Sequence, residues 1–118
     1  MCSSDLINGR FRFARDGAAD AIDLDAALIH EFGHVLGLEH TCATIPGAAP
    51  LIASDGTRVP SCFPLVGVPE ALRAATMFPY LAPGDPAART PVDDELGAVC
   101  QLYAGHDATC ADTGPGCG

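Results

Sequence analysis

The eleven residues HEFGHVLGLEH, from His30 to His40, hold three of the chain's four histidines. Residues four apart on an α-helix lie on one face, one turn apart. A helix here presents the imidazoles of His30 and His34 to a single point. His40 stands too far along to join them if the helix continues. Gly37 removes the conflict, because glycine readily takes the left-handed conformation that ends a helix. The chain then reverses and His40 returns to the other two. Zinc takes imidazole nitrogen readily, and three protein ligands leave a fourth position for water. Glu31 follows His30 directly, so it stands beside such an ion without ligating it and reaches that water. The alternative is that His30 and His34 are satisfied structural histidines of a helix face, with His40 in the loop after it. Gly37 and His40 at the required offsets make the metal reading the stronger one. Glu39 reads as a solvated loop carboxylate. His106 reads as a surface histidine, since the ligand set is complete without it.

The rest of the composition narrows the setting. A chain of 118 residues suffices for one small domain with a modest core. Its formal charge is −9, and its basic residues are six scattered arginines without a lysine. Nucleic acid requires a basic stripe, so it is excluded as a partner, as is an anionic membrane surface. No apolar run approaches the ~20 residues of a membrane span. Six cysteines in an acidic, Pro- and Gly-rich chain point to an oxidising, extracellular location, secreted or at the cell surface. None sits in a Cys-x-x-Cys pattern. Cys42–Cys62 and Cys100–Cys110 are the expected pairs. No signal peptide is visible in MCSSDLINGR. The chain reads as cut at both ends, and residues 1–6 read as foreign to the domain, because CSSDL matches one reading frame of a common sequencing-adapter end.

Residues 6–14 alternate, with Ile7, Phe11 and Phe13 against Arg10 and Arg12, which predicts a strand. RDGAAD then turns the chain. Asp23 is the expected N-cap of a helix from Leu24 to about Leu36, with Leu28, Phe32, Val35 and Leu36 on its buried side. Residues 41–75 are irregular and rich in proline, a stretch that Cys42–Cys62 would staple. Within it SDGTRVP suits a tight turn or short hairpin, and PEALRAA a helical turn. A last helix starts near Thr90–Pro91 or Asp93 and ends at about Tyr103. Leu96, Val99 and Tyr103 share one of its faces, and Asp93, Asp94 and Glu95 suit its positive end. Residues 105–118 read as a Cys-, Gly- and Pro-rich tail.

HEFGHVLGLEH resembles the extended zinc signature of the metzincin endopeptidases at every position. That family also has a methionine turn beneath the metal, and AATMFPY offers Met77 for it. A thioether makes a soft apolar floor without binding the ion. TMFPY and VDDELGAVCQLYAG are most similar to matrixins, of the bacterial secreted kind. Phe78 stands where matrixins usually have Tyr, Cys100 where they usually have Gln, and Thr41 where vertebrate members favour Ser. Thr at that place also occurs in pappalysin-like enzymes. The Cys42–Cys62 insert makes the stretch from His40 to Met77 longer than in matrixins. The resemblance covers about Asp23 to Ala104. It implies an α+β class: the C-terminal part of a matrixin-like zincin fold over residues 1–104, with zinc helix, Met-turn, closing helix and only one or two strands of the sheet. The family's structural Ca²⁺ and second-zinc sites belong mainly to the part that would precede this chain.

The implied activity is hydrolysis of peptide bonds in a protein or peptide substrate. His30, His34 and His40 hold one catalytic Zn²⁺, and Glu31 takes the proton of the activated water and passes it to the leaving amine. By resemblance, the segment from Phe78 to Leu81 walls the pocket for the residue after the cleaved bond, although Pro79 and Tyr80 equally suit rigid loop packing. Tyr80 stands three residues past Met77, where metzincins with a tyrosine ligand place it two past, so no ligand role falls to it. Two other readings stay open: a zinc-binding but catalytically silent extracellular module, and a non-folding fragment of an enzyme. The retained Glu31 speaks against the first. Nothing in the sequence bears on oligomeric state.

Overall fold

The computed structural model describes residues 8–47, 49–53 and 56–103. Among these the chain is a small α+β unit. A two-stranded parallel sheet, β1 (Phe13–Ala14) and β2 (Ile22–Asp23), leads into α1 (Leu24–Val35). Two 3₁₀ turns (Leu65–Gly67 and Ala87–Arg89), a short α2 (Glu70–Arg73) and a final α3 (Asp93–Tyr103) follow. The strand expected over 6–14 is confined to two residues, paired Phe13 with Ile22 and Ala14 with Asp23. Its partner cannot extend further, because the side chain of Asp23 caps α1 by accepting the Ala26 N–H at 2.9 Å. Phe11 is accordingly exposed. Residues 6 and 7 lie outside the described residues, as do residues 105–118.

Helix α1 begins and ends where the sequence places it. At its C-terminus Gly37 adopts φ +92°. The Leu38 N–H returns to the Gly33 carbonyl and the Gly37 N–H to the His34 carbonyl, both at 2.9 Å. This paired closure needs a left-handed residue at position 37, which glycine takes without steric cost.

The buried side of α1 is a correction. Leu28, Phe32, Val35 and Leu36, expected to face the core, are exposed; Phe32 is 65% exposed and Val35 74%. The buried residues of α1 are Ala26, Ala27, His30 and Gly33. Small residues at this spacing let the 75–89 segment come close to the helix backbone, and a side with bulky residues cannot accept it. The two faces are therefore exchanged relative to a reading from hydrophobicity alone.

A second packing centre lies under the 42–78 region. Cys42 and Cys62 are disulfide-bonded, as expected, and pack with Val68, Phe78 and the partly buried Leu72. Around the bridge the Ala43 N–H donates to the Pro60 carbonyl at 2.8 Å and the Cys62 N–H to the Ala43 carbonyl at 2.9 Å. The expected turn or hairpin is present as an antiparallel bridge between Ile52 and Arg58. Cys100 is disulfide-bonded as well; Cys110, expected as its partner, lies outside the described residues. Helix α3 sends Val99 toward α1, beside Ile29, Phe32, Leu36 and Leu38 around a recess of about 110 Å³. The Tyr103 hydroxyl donates to the Leu36 carbonyl at 3.0 Å, and Leu96 points outward.

Candidate metal centre

Helix α1 carries His30 and His34 one turn apart, and the reversal at Gly37 returns His40 to them. The three side chains each offer one ligand atom, and these atoms lie within 4.8 Å of one another. His30 is buried, and His34 and His40 are partly buried. The His34 and His40 Nε2 atoms are 3.2 Å apart. Two nitrogens held at zinc's usual ~2.0–2.1 Å in a tetrahedron stand about 3.3 Å apart, so this separation fits one edge of such a site.

Backbone carbonyls fix two of the rings. His30 Nδ1 is 2.7 Å from the Thr76 carbonyl oxygen. His34 Nδ1 is 2.9 Å from the Leu38 carbonyl oxygen. A carbonyl oxygen only accepts, so each Nδ1 carries the hydrogen and each Nε2 keeps its lone pair for a ligand bond. Carbonyls that orient ligating histidines in this way are the usual outer support of zinc sites. The same turn that stops α1 therefore also supplies, through Leu38, the group that orients His34. Burial, with the His34 and His30 imidazoles beside it, pushes His40 down to about 4. It is neutral near pH 7, the form that ligates. Three imidazole nitrogens form a donor set that suits a divalent ion of zinc's borderline character.

Met77 lies beneath this arrangement, 2% exposed. A Cβ added at Gly33, between the two helical histidines, would stand 2.2 Å from the Met77 sulfur. Gly33 is therefore the gap in α1 that seats the methionine. The Met77 N–H donates to Glu95 Oε1, and the Val92 N–H donates to Glu95 Oε2 at 2.9 Å. The buried Glu95 thus clamps the Met77 turn to the start of α3. The sequence pointed to Glu95 only as one of three acidic residues suited to a helix N-terminus. Its partner at Met77 is a backbone group distant in sequence, which leaves no sequence signal. The same holds for Thr76, whose carbonyl oxygen reaches His30, and for Arg89. The Arg89 guanidinium grips the buried Asp23 carboxylate through Nε at 2.8 Å and a terminal nitrogen at 2.6 Å.

Glu31 is partly buried and lines, with His30, a recess of about 340 Å³. Pro79, Tyr80 and Leu81 form part of the same wall, together with Phe11, Phe13 and Ile22. Phe78 does not line it. That side chain is buried against Cys42, Cys62 and Val68; with Tyr80 and Leu81 it lines a neighbouring recess of about 270 Å³. On the other side His40 lines a larger recess of about 780 Å³, with Thr44, Leu51, Arg58 and Asp94 among its walls. Glu39 is exposed, as expected. His106 lies outside the described residues.

No protein-family model, curated protein or solved structure matches the chain. The functional reading therefore rests on the site itself. Among the described residues no helix is long and apolar enough to cross a membrane. The disulfide is consistent with an oxidising, extracellular setting.

Proposed function

We propose that this chain carries the catalytic site of a secreted zinc endopeptidase of the metzincin type, most similar to bacterial matrixins. The observation that carries the reading is the convergence of the His30, His34 and His40 ligand atoms beside Glu31, in a recess that His30 and Glu31 line together. Zinc held by these residues supplies Lewis-acid polarisation of the scissile carbonyl and acidification of water. His30 and His34 hold their rings by Nδ1–H donation to Thr76 and Leu38, so little reorganisation accompanies turnover. Glu31 takes the proton of the attacking water and delivers it to the leaving amine. The 30–40 segment thus supplies both ligands and base. His30 and Glu31 face one recess and His40 the other. An extended polypeptide crossing the centre would use both, which favours a peptide chain over a compact small molecule as substrate.

The test is zinc content by elemental mass spectrometry together with peptide hydrolysis, on the parent chain, Glu31→Gln and His34→Ala. The expected result is about one zinc per chain in the parent and in Glu31→Gln, with hydrolysis lost from Glu31→Gln by at least the ~10²-fold typical of a missing general base. His34→Ala loses the zinc. Zinc binding with no hydrolysis in the parent would support a silent metal-binding module instead.

A further inference from the structure

We infer that the Cys42–Cys62 disulfide is the device that positions the third ligand, His40, and thereby sets the metal affinity of the site; this rests on the three-histidine reading above. His30 and His34 belong to a helix, and each has a carbonyl on its Nδ1. His40 has neither support. It lies past the end of α1 in irregular chain, and among the described residues no hydrogen bond holds its Nδ1. Something else must fix its ring, because a ligand left to wander over several ångströms loses much of its contribution to a metal site.

The chain just after His40 supplies that support. The Thr41 N–H donates to the Met77 carbonyl, and its hydroxyl to the Leu72 carbonyl, each at 3.2 Å. Cys42 follows, 2% exposed and bonded to the fully buried Cys62. The bridge is the centre of the packing formed with Val68, Leu72 and Phe78. Phe78 is the immediate neighbour of Met77, and Met77 seats against Gly33 between the other two ligands. One packed unit therefore holds both the floor of the site and the root of the His40 loop. The bridge anchors that root within two residues of the ligand. Without it, the Thr41 hydrogen bonds, the Gly37 turn and the backbone pairs of Ala43 with Pro60 and Cys62 remain, but the covalent anchor two residues from His40 is gone.

The experiment is zinc affinity measured by competition with a chromophoric chelator. The proteins are the parent chain, Cys42→Ala/Cys62→Ala, His40→Ala, and the combination of all three substitutions. Removing the bridge is expected to weaken zinc binding by about 10- to 100-fold, the range for losing an outer support of a ligand. In the His40→Ala background the same removal is expected to change nothing, because the ligand it positions is gone. A loss of equal size in both backgrounds would mean general loosening of the fold and would overturn the inference. A further variant keeps the disulfide and its packing intact but inserts one glycine between Thr41 and Cys42. It is expected to lose affinity to a similar degree, and it answers the question even where the bridge-less chain fails to fold. Parent-like affinity in that insertion variant would also overturn the inference. Absence of zinc binding by the parent would instead sink the three-histidine reading itself.

Discussion

At the scale of single residues, the site depends on one that carries no functional group. Gly33 lies between His30 and His34 and leaves the gap that the Met77 sulfur fills. Replacing it with alanine gains roughly 1 kcal/mol of helix propensity. It also drives a methyl group into a methionine that is 2% exposed and has little room to yield. Overpacking of this kind typically costs about 1–3 kcal/mol, so the two effects compete and the steric one wins. Gly33→Ala is expected to lower unfolding stability by up to about 2 kcal/mol, read from the urea midpoint of the metal-free protein. A raised midpoint would mean that Met77 moves aside freely. The wider point concerns ring orientation. A hydrogen bond on the second ring nitrogen orients a ligating histidine, and here backbone carbonyls, not side chains, supply it for His30 and His34.

At the scale of elements, α1 is held at both ends by polar contacts. The Gly37 closure ends it, and Asp23 begins it while also binding Arg89. The Arg89 guanidinium, against the upward push of burial, holds the Asp23 carboxyl below the ordinary carboxylate range. A depressed acid stabilises the folded chain at pH values above its unfolded pKa of ~3.9 and loses that contribution as pH falls through the folded value. Asp23→Asn keeps a competent N-cap but removes the charge. It is expected to be less stable than the parent at neutral pH, with the gap closing as pH falls below ~4. Urea unfolding of both metal-free proteins from pH 7 down to pH 3 checks this, and a gap independent of pH would contradict the assignment. Glu95 makes the corresponding join between α3 and the Met77 turn, through two backbone N–H groups.

At the scale of the whole molecule, the core is thin and divided. Among the described residues the largest fully buried side chains are Met77, Cys42 and Cys62, whereas Phe32 and Val35 stand in solvent. Phe32→Ala is therefore expected to change stability by less than about 0.5 kcal/mol, as for other surface positions. Phe78→Ala, in the disulfide core, is expected to cost about 3–5 kcal/mol. The two denaturation curves measured side by side test the exchange of faces on α1. A large loss in Phe32→Ala would restore the face that hydrophobicity predicts.

The three-histidine cluster was legible in the sequence because it is local. Its three imidazoles, the helix stop and the proposed base Glu31 fall within His30 to His40, and 3.6-residue periodicity plus one glycine determine how they meet. The bounds of α1 and α3 and the Cys42–Cys62 pair were legible for similar reasons, being set by caps, turn residues and loop closure. The buried side of α1 was not. Apolar content favours Leu28, Phe32 and Val35, but which side is covered depends on what the rest of the chain brings to it. The 75–89 segment packs closely only where Ala26, Ala27 and Gly33 leave room. The short strand, the burial of Phe78, the Glu95 clamp and the Asp23–Arg89 pair are likewise tertiary decisions. Each joins a residue to a partner distant in sequence, often a backbone group, and no local pattern encodes that choice.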